Sequence, residues 1–217
     1  MGELQVRFWG DLACFTRPET KVERVSYPVV TPSAARGMLE AILWKPEFHW
    51  EVREIHVLRP PRFISLVRNE VSSRASPERA GAGFYADDDR AQRHTLALRD
   101  VAYVVVADMV LNRHASNEHP AKYRDQFLRH VQRGQCYYQP YLGCREFSAG
   151  FGATSPSDCA TSWTQDLGLM LFDLDYGGGE AVAQPIFFNA FVRDGVLKIP
   201  KELYERGGNG NAPPAAS

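Results

Sequence analysis

Residues 101–111, VAYVVVADMVL, read as the strongest strand in the chain: an apolar run rich in β-branched residues and too short to cross a membrane as a helix. Extended backwards, the pattern starts near Arg93. Downstream, residues 117–134, NEHPAKYRDQFLRHVQRG, read as a helix with Asn117 as N-cap, Pro120 in the first turn and Gly134 as C-cap. Upstream, LQVRFW (4–9) alternates as a strand. Thr31-Pro32 opens a helix, SAARGMLEAIL, which stops before Pro46. His49 to Leu58 and Phe63 to Val71 read as further strands, and residues 137–147 lead into another. Residues 72–91 form a long Ser-, Ala-, Gly- and Asp-containing loop between two strands, the pattern of a protruding hairpin or thumb. The order is βαββαβ, which predicts an α+β, ferredoxin-like (RRM-like) domain over about 1–150. Two further strand signals, Gly168 to Leu174 and the hairpin IFFNAFVRDGVLKIP turning at Arg193-Asp194-Gly195, predict an additional C-terminal antiparallel β-sheet over 151–206. Residues 207–217, low in complexity, read as a disordered tail.

The 217 residues carry 25 basic and 26 acidic side chains, a net charge of −1, which excludes a general polycation. The charge is segregated: 12 basic against nine acidic residues over 61–133, and five against nine over 134–217. A basic middle permits nucleic-acid contact, and an acidic end permits protein contact. The N-terminus lacks the basic and apolar regions of a signal peptide, and position 6 is Val where a myristoylation signal needs Ser or Thr, so a cytoplasmic protein without membrane contact is expected. Cys14, Cys136, Cys144 and Cys159 form no CxxC pair and read as small buried side chains in a reducing compartment. The Asp87-Asp88-Asp89 run reads as solvated loop, so neither metal nor cofactor is expected.

No nucleophile elbow, phosphate-binding loop or zincin motif is present. The second helix is more informative. At 100° per residue, Pro120, Phe127, Leu128 and Val131 share a core stripe. Lys122, Arg129 and Arg133 lie opposite, with Gln126 and His119 beside them and Tyr123 bordering both faces. His119, Lys122 and Tyr123 are spaced i, i+3 and i+4, so they are expected to be neighbours. An imidazole, an ammonium and a phenol suit metal-free RNA cleavage. The 2′-hydroxyl needs a base, the phosphorane a cation and the leaving oxygen a proton. A solvated helix face beside a core is the plainer alternative. Basic and aromatic residues also interleave from Cys14-Phe15-Thr16-Arg17 through Lys21 and Arg24. The glycines of SAGFGAT (148–154) would let a phosphate backbone approach closely, or simply connect.

The chain resembles the Cas-five family of CRISPR-associated proteins in its subtype I-C form. The resemblance rests on VRFWGDLACFTRPETKVERVSYPVVTPSAARGMLEAILWKP, LRDVAYVVVADMVLNRH, AKYRDQFLRHVQRGQCYYQPYLGCREF and IFFNAFVRDGVLKIP, and spans roughly residues 5–200. It implies a RAMP protein that cuts CRISPR precursor RNA near the repeat hairpin without metal, by 2′-hydroxyl attack. Such a protein then stays on the 5′ handle within the Cascade complex beside Cas-seven and Cas-eight type subunits. It places Lys122 at the family's lysine, Tyr123 where the family has histidine, and Leu43 where it has tyrosine. His119 and Tyr123 are the local candidates for proton transfer. Arg17, Lys21, Arg24, Lys45, Arg129, Arg133 and Arg145 are the candidate RNA contacts. The alternative is a non-catalytic subunit that grips the 5′ handle, with double-stranded DNA as a further partner.

Overall fold

The computed structural model describes residues 3–20, 23–71, 90–175 and 184–206. Lys21, the Asp87-Asp88-Asp89 run, all but the last two residues of the 72–91 loop, and the 207–217 tail lie outside the described residues. The strands are β1 (Leu4–Ala13), β2 (Arg24–Val25), β3 (Phe48–Val57), β4 (Phe63–Val71), β5 (Arg90–Leu111), β6 (Gly150–Gly152), β7 (Gln165–Asp175), β8 (Gln184–Arg193) and β9 (Val196–Lys198). The helices are α1 (Pro32–Ile42), α2 (Pro120–Arg133) and the short α3 (Glu202–Arg206), with a 3₁₀ turn at Arg113–Ala115.

One sheet runs β6-β1-β5-β3-β9-β8-β7, with β2 and β4 also paired to β5. Its first four members have the order of a ferredoxin-like sheet, all antiparallel. The C-terminal strands continue that sheet, because β9 pairs with the free edge of β3. Alternation fixes the faces. Val6 and Phe8 of β1, Tyr103 and Val105 of β5, and Ile55 and Val57 of β3 turn inward under the helices and are buried. Trp50 packs on Phe127 of α2, ring centroids 4.6 Å apart, and Phe48 packs on Tyr123 at 5.5 Å. Fully burying one such ring contributes about 1.5–3 kcal/mol.

The opposite face carries Arg7 and Trp9 of β1, and Ala102, Val104 and Val106 of β5. The three β5 residues are at most 3% exposed, because the segment after β6 crosses them. Asp158 of that segment pairs with Arg7 at 3.3 Å, and Thr161 donates its N–H to Val57 O at 2.9 Å.

Local signals explain the helix ends. Thr31 Oγ1 accepts from the N–H of Ala34 at 3.3 Å, with Pro32 at the first position of α1. α2 starts at Pro120 rather than after Asn117: the residue before proline is driven out of the helical region, and His119 is extended (φ −90°, ψ 111°). Gly134 closes α2 at φ 63°. Asp194 and Gly195, both at positive φ, make the turn between β8 and β9.

Candidate nucleic-acid interface

α2 is held by Tyr123, Phe127 and Val131, its buried residues. Tyr123 therefore lies in the core rather than on the border of two faces. It is 2% exposed, and its hydroxyl lies within hydrogen-bond distance of no partner among the described residues. Burial raises the phenol above its ordinary value, and the nearby Glu118 and Glu47 carboxylates add to that. Lys122 sits above the Tyr123 ring, 5.0 Å from its centroid, with Nζ 3.3 Å from Glu118. The Glu118 hydrogen bond raises its ammonium pKa. His119 is exposed and, as N-cap, makes no side-chain capping bond. The structure thus brings His119 and Lys122 to the surface together and encloses the Tyr123 hydroxyl on the Glu118 side of Lys122.

Arg129 and Arg133 continue the exposed row of α2. Neither has an acidic partner among the described residues. Past Gly134 the chain turns back along the end of α1, where Tyr137 and Tyr138 both donate their N–H groups to Ala41 O, at 2.8 and 3.3 Å. The Tyr137 ring is 83% exposed and meets the Tyr138 ring edge-on at 6.1 Å. Burial raises the Tyr138 phenol, while nearby Arg145 pulls it down. Arg145 is exposed and likewise has no acidic partner among the described residues.

Arg24 reaches this region from β2: Nη1 donates to Cys144 Sγ at 3.1 Å and lies 3.7 Å from Glu146. The Cys144 thiol is held below its ordinary value, chiefly by hydrogen bonding with Cys14 and further by Arg24. Cys14 and Cys144 are buried as expected, but Cys136 is half-buried and Cys159 exposed, since its polar neighbours in SPSDCATS carry no core stripe. Arg17 stacks on Tyr27 at 4.5 Å and pairs with Glu19 at 3.6 Å. Lys45 is half-buried in the turn after α1. Arg24, Arg145, Arg133, Arg129 and Lys122 thus follow one another around the end of α1 and along α2, although the sequence spreads them over more than 100 residues.

The glycines of 148–154 have a packing task. A Cβ on Gly150 would overlap the Trp9 indole, which lies across β6, and a Cβ on Gly152 would sit 3.6 Å from it. Among the described residues no group of three His, Cys, Asp or Glu side chains could hold a metal ion, and no helix is long and apolar enough to cross a membrane.

A ferredoxin-like sheet with an antiparallel C-terminal extension and an exposed basic row on its second helix is the build of a RAMP protein. A sequence profile for the CRISPR-associated protein family Cas5, Cas5d type, matches residues 3–177. The chain is 48% identical to the CRISPR pre-crRNA endoribonuclease Cas5d of Thermus thermophilus, over 94% of both chains. It is 42% identical to the protein of the same name from Mannheimia succiniciproducens, over 91% of this chain and 94% of that one. A solved CRISPR-associated protein superposes with a TM-score of 0.68 at 22% identity, covering 96% of this chain and 95% of its own. The chain belongs to the Cas5d family of CRISPR-associated proteins.

Proposed function

We propose that this chain is a pre-crRNA endoribonuclease that cuts the CRISPR repeat hairpin and stays on the 5′ handle of the product within Cascade. The observation that carries this reading is the row of cations on α2 and Arg145. Arg129, Arg133 and Arg145 of that row have no acidic partner among the described residues and stand beside two tyrosines, in a family whose curated relatives bear that name. Arg129, Arg133 and Arg145 meet phosphates, and the salt dependence of binding should report them. Lys122 supplies positive charge where the phosphorane develops. The cut is a transesterification by the adjacent 2′-hydroxyl, so it leaves a 2′,3′-cyclic phosphate and needs no metal. Cas-seven and Cas-eight type subunits, and double-stranded DNA, are the further partners of the assembled complex.

The test is incubation with the cognate repeat RNA in excess EDTA, with end-group analysis of the products. Cleavage with a 2′,3′-cyclic phosphate is expected. Loss of cutting in EDTA with restoration by magnesium would overturn the metal-free chemistry. A second reading, a subunit that holds the handle without cutting, is favoured by the enclosed Tyr123 hydroxyl. Binding with no cleavage under any condition would establish it.

A further inference from the structure

His130 stands on the flank of α2 that faces the end of α1, and its Nδ1 lies 3.2 Å from the carbonyl oxygen of Ile42. A carbonyl oxygen only accepts, so Nδ1 carries the hydrogen, and the neutral ring has its lone pair on Nε2. Nε2 has no hydrogen-bond partner among the described residues, yet it is not one of the buried, unpartnered side-chain nitrogens. The imidazole is therefore fixed through one nitrogen and open to solvent through the other. This is how a general base is held ready.

What surrounds that open nitrogen suits RNA. Ala41 O, one residue before the carbonyl that holds His130, takes the N–H groups of Tyr137 and Tyr138. The exposed Tyr137 ring stands at this corner, and an exposed aromatic ring among cations is a stacking surface for an unpaired base. Arg133, one turn beyond His130, and Arg145 beside Tyr138 supply phosphate contacts. His119 differs in the feature that matters: no hydrogen bond orients its ring among the described residues.

We infer that His130 is the catalytic base of RNA cleavage, with the Tyr137 ring stacking the base of a nucleotide next to the scissile phosphate. The inference rests on the ribonuclease reading above. The 2′-hydroxyl proton passes to Nε2 as the O2′–P bond forms, and the P–O5′ bond breaks while water protonates the leaving O5′. Lys122 lies about 12 Å up the helix. To meet the non-bridging oxygens of a phosphorane beside His130, Lys122 leaves Glu118, which holds its Nζ at 3.3 Å on the preceding turn, and extends down the helix when RNA binds.

The decisive variant is His130→Asn, made beside His130→Ala. Asparagine keeps a donor where Nδ1 stands, so it preserves the bond to Ile42 O and removes the base. Thermal melting, binding of the repeat RNA and single-turnover cleavage in EDTA are measured on each. His130→Asn is expected to melt close to the wild type and bind within a few-fold of it. It should cut roughly 10²–10⁴-fold more slowly. Tyr137→Ala should bind roughly tenfold more weakly, while Tyr137→Phe behaves as wild type. His130→Asn cutting within a few-fold of the wild-type rate, alone or as a rescue of His130→Ala, would make His130 a structural residue and overturn the inference. A wild-type protein that binds the RNA but never cuts it would instead sink the ribonuclease reading, and His130 with it.

Discussion

Lys122 keeps 63% of its side chain in solvent and meets Glu118 and the Tyr123 ring. Replacing it opens no core, so Lys122→Ala should change stability by no more than about 0.5 kcal/mol. If its charge serves the phosphorane, cleavage should fall roughly 10²–10³-fold, with RNA binding held within a few-fold by the remaining cations. Single-turnover rates beside a binding titration check this, and a normal rate would reduce Lys122 to a surface charge. Two glycines test backbone strain in the same way. Gly134 and Gly143 both sit at positive φ, but only Gly143 is hemmed in, by the Cys14 carbonyl. In urea melts Gly134→Ala should cost about 1 kcal/mol and Gly143→Ala more than about 2 kcal/mol. Comparable losses would mean that the loop around Gly143 can yield. At this scale the sequence hid contacts across distance. Arg24 and Cys144 are 120 residues apart, and no local pattern announces their bond. Helical phase alone misplaces Tyr123, because the ring it packs on, Phe48, comes from β3.

The elements themselves were written locally. Thr31-Pro32, the alternation of β1 and β3, and Asp194-Gly195 each name their structure within a few residues, and each forms as read. Pro120 was read as part of a first turn when it sets the first residue of α2. The crossing segment was illegible: residues 153–164 have no periodicity, and their hold comes from Arg7, Val57 and Gly195 far away in sequence. That segment also accounts for the helices, rather than the sheet face, carrying the candidate site. The middle of the customary RNA platform, Ala102, Val104 and Val106, is covered. β4 and the first half of β5 form an arm whose exposed side bears Phe63, Val67, Val71 and Leu96. Shortening the connection between them, residues 72–89, leaves every described core residue and α2 in the chain. The shortened protein should cleave repeat RNA at the wild-type rate and assemble poorly with Cas-seven type subunits. Size-exclusion of reconstituted complexes is the measurement, and undiminished assembly would count against a docking role for that loop.

Across the whole molecule, charge is paired unevenly between the two ends of the pH scale. His49 donates Nδ1 to Asn112 Oδ1 at 2.7 Å and Nε2 to Glu51 at 3.2 Å, while Glu51 also pairs with Arg53, which holds Asp108 at 2.7 Å. The Glu51 hydrogen bond raises the His49 imidazole pKa, and Asn112 adds to that against burial and Arg36. The His49 bond and Arg53 lower the Glu51 carboxyl. A raised imidazole gives stability that is lost as pH rises through its folded value. A lowered carboxylate gives stability that is lost as pH falls through its own. The pair therefore contributes between the ordinary carboxylate and imidazole ranges, about pH 4 to 7. The melting-temperature gap between wild type and Glu51→Gln should be widest inside that window and narrow on both sides. A gap independent of pH would show that the pair does not titrate with folding. Glu40 and Asp173 work the other way: burial raises both despite Arg36 between them, so their ionisation opposes folding as pH rises.

The sheet closes late in the life of the chain. The outer edge of β3, around Ile55, waits for Leu197 of β9, and β1 waits for β6. A ribosome adding roughly 5–20 residues per second needs on the order of 7–30 s to travel from one partner to the other. Throughout that interval the nascent protein presents an open strand edge with one apolar face, a surface that can pair with a neighbouring chain. Production of this protein should therefore be governed by what shields β3 during synthesis, and slow translation or a missing C-terminal hairpin should show first as aggregation rather than as lost activity.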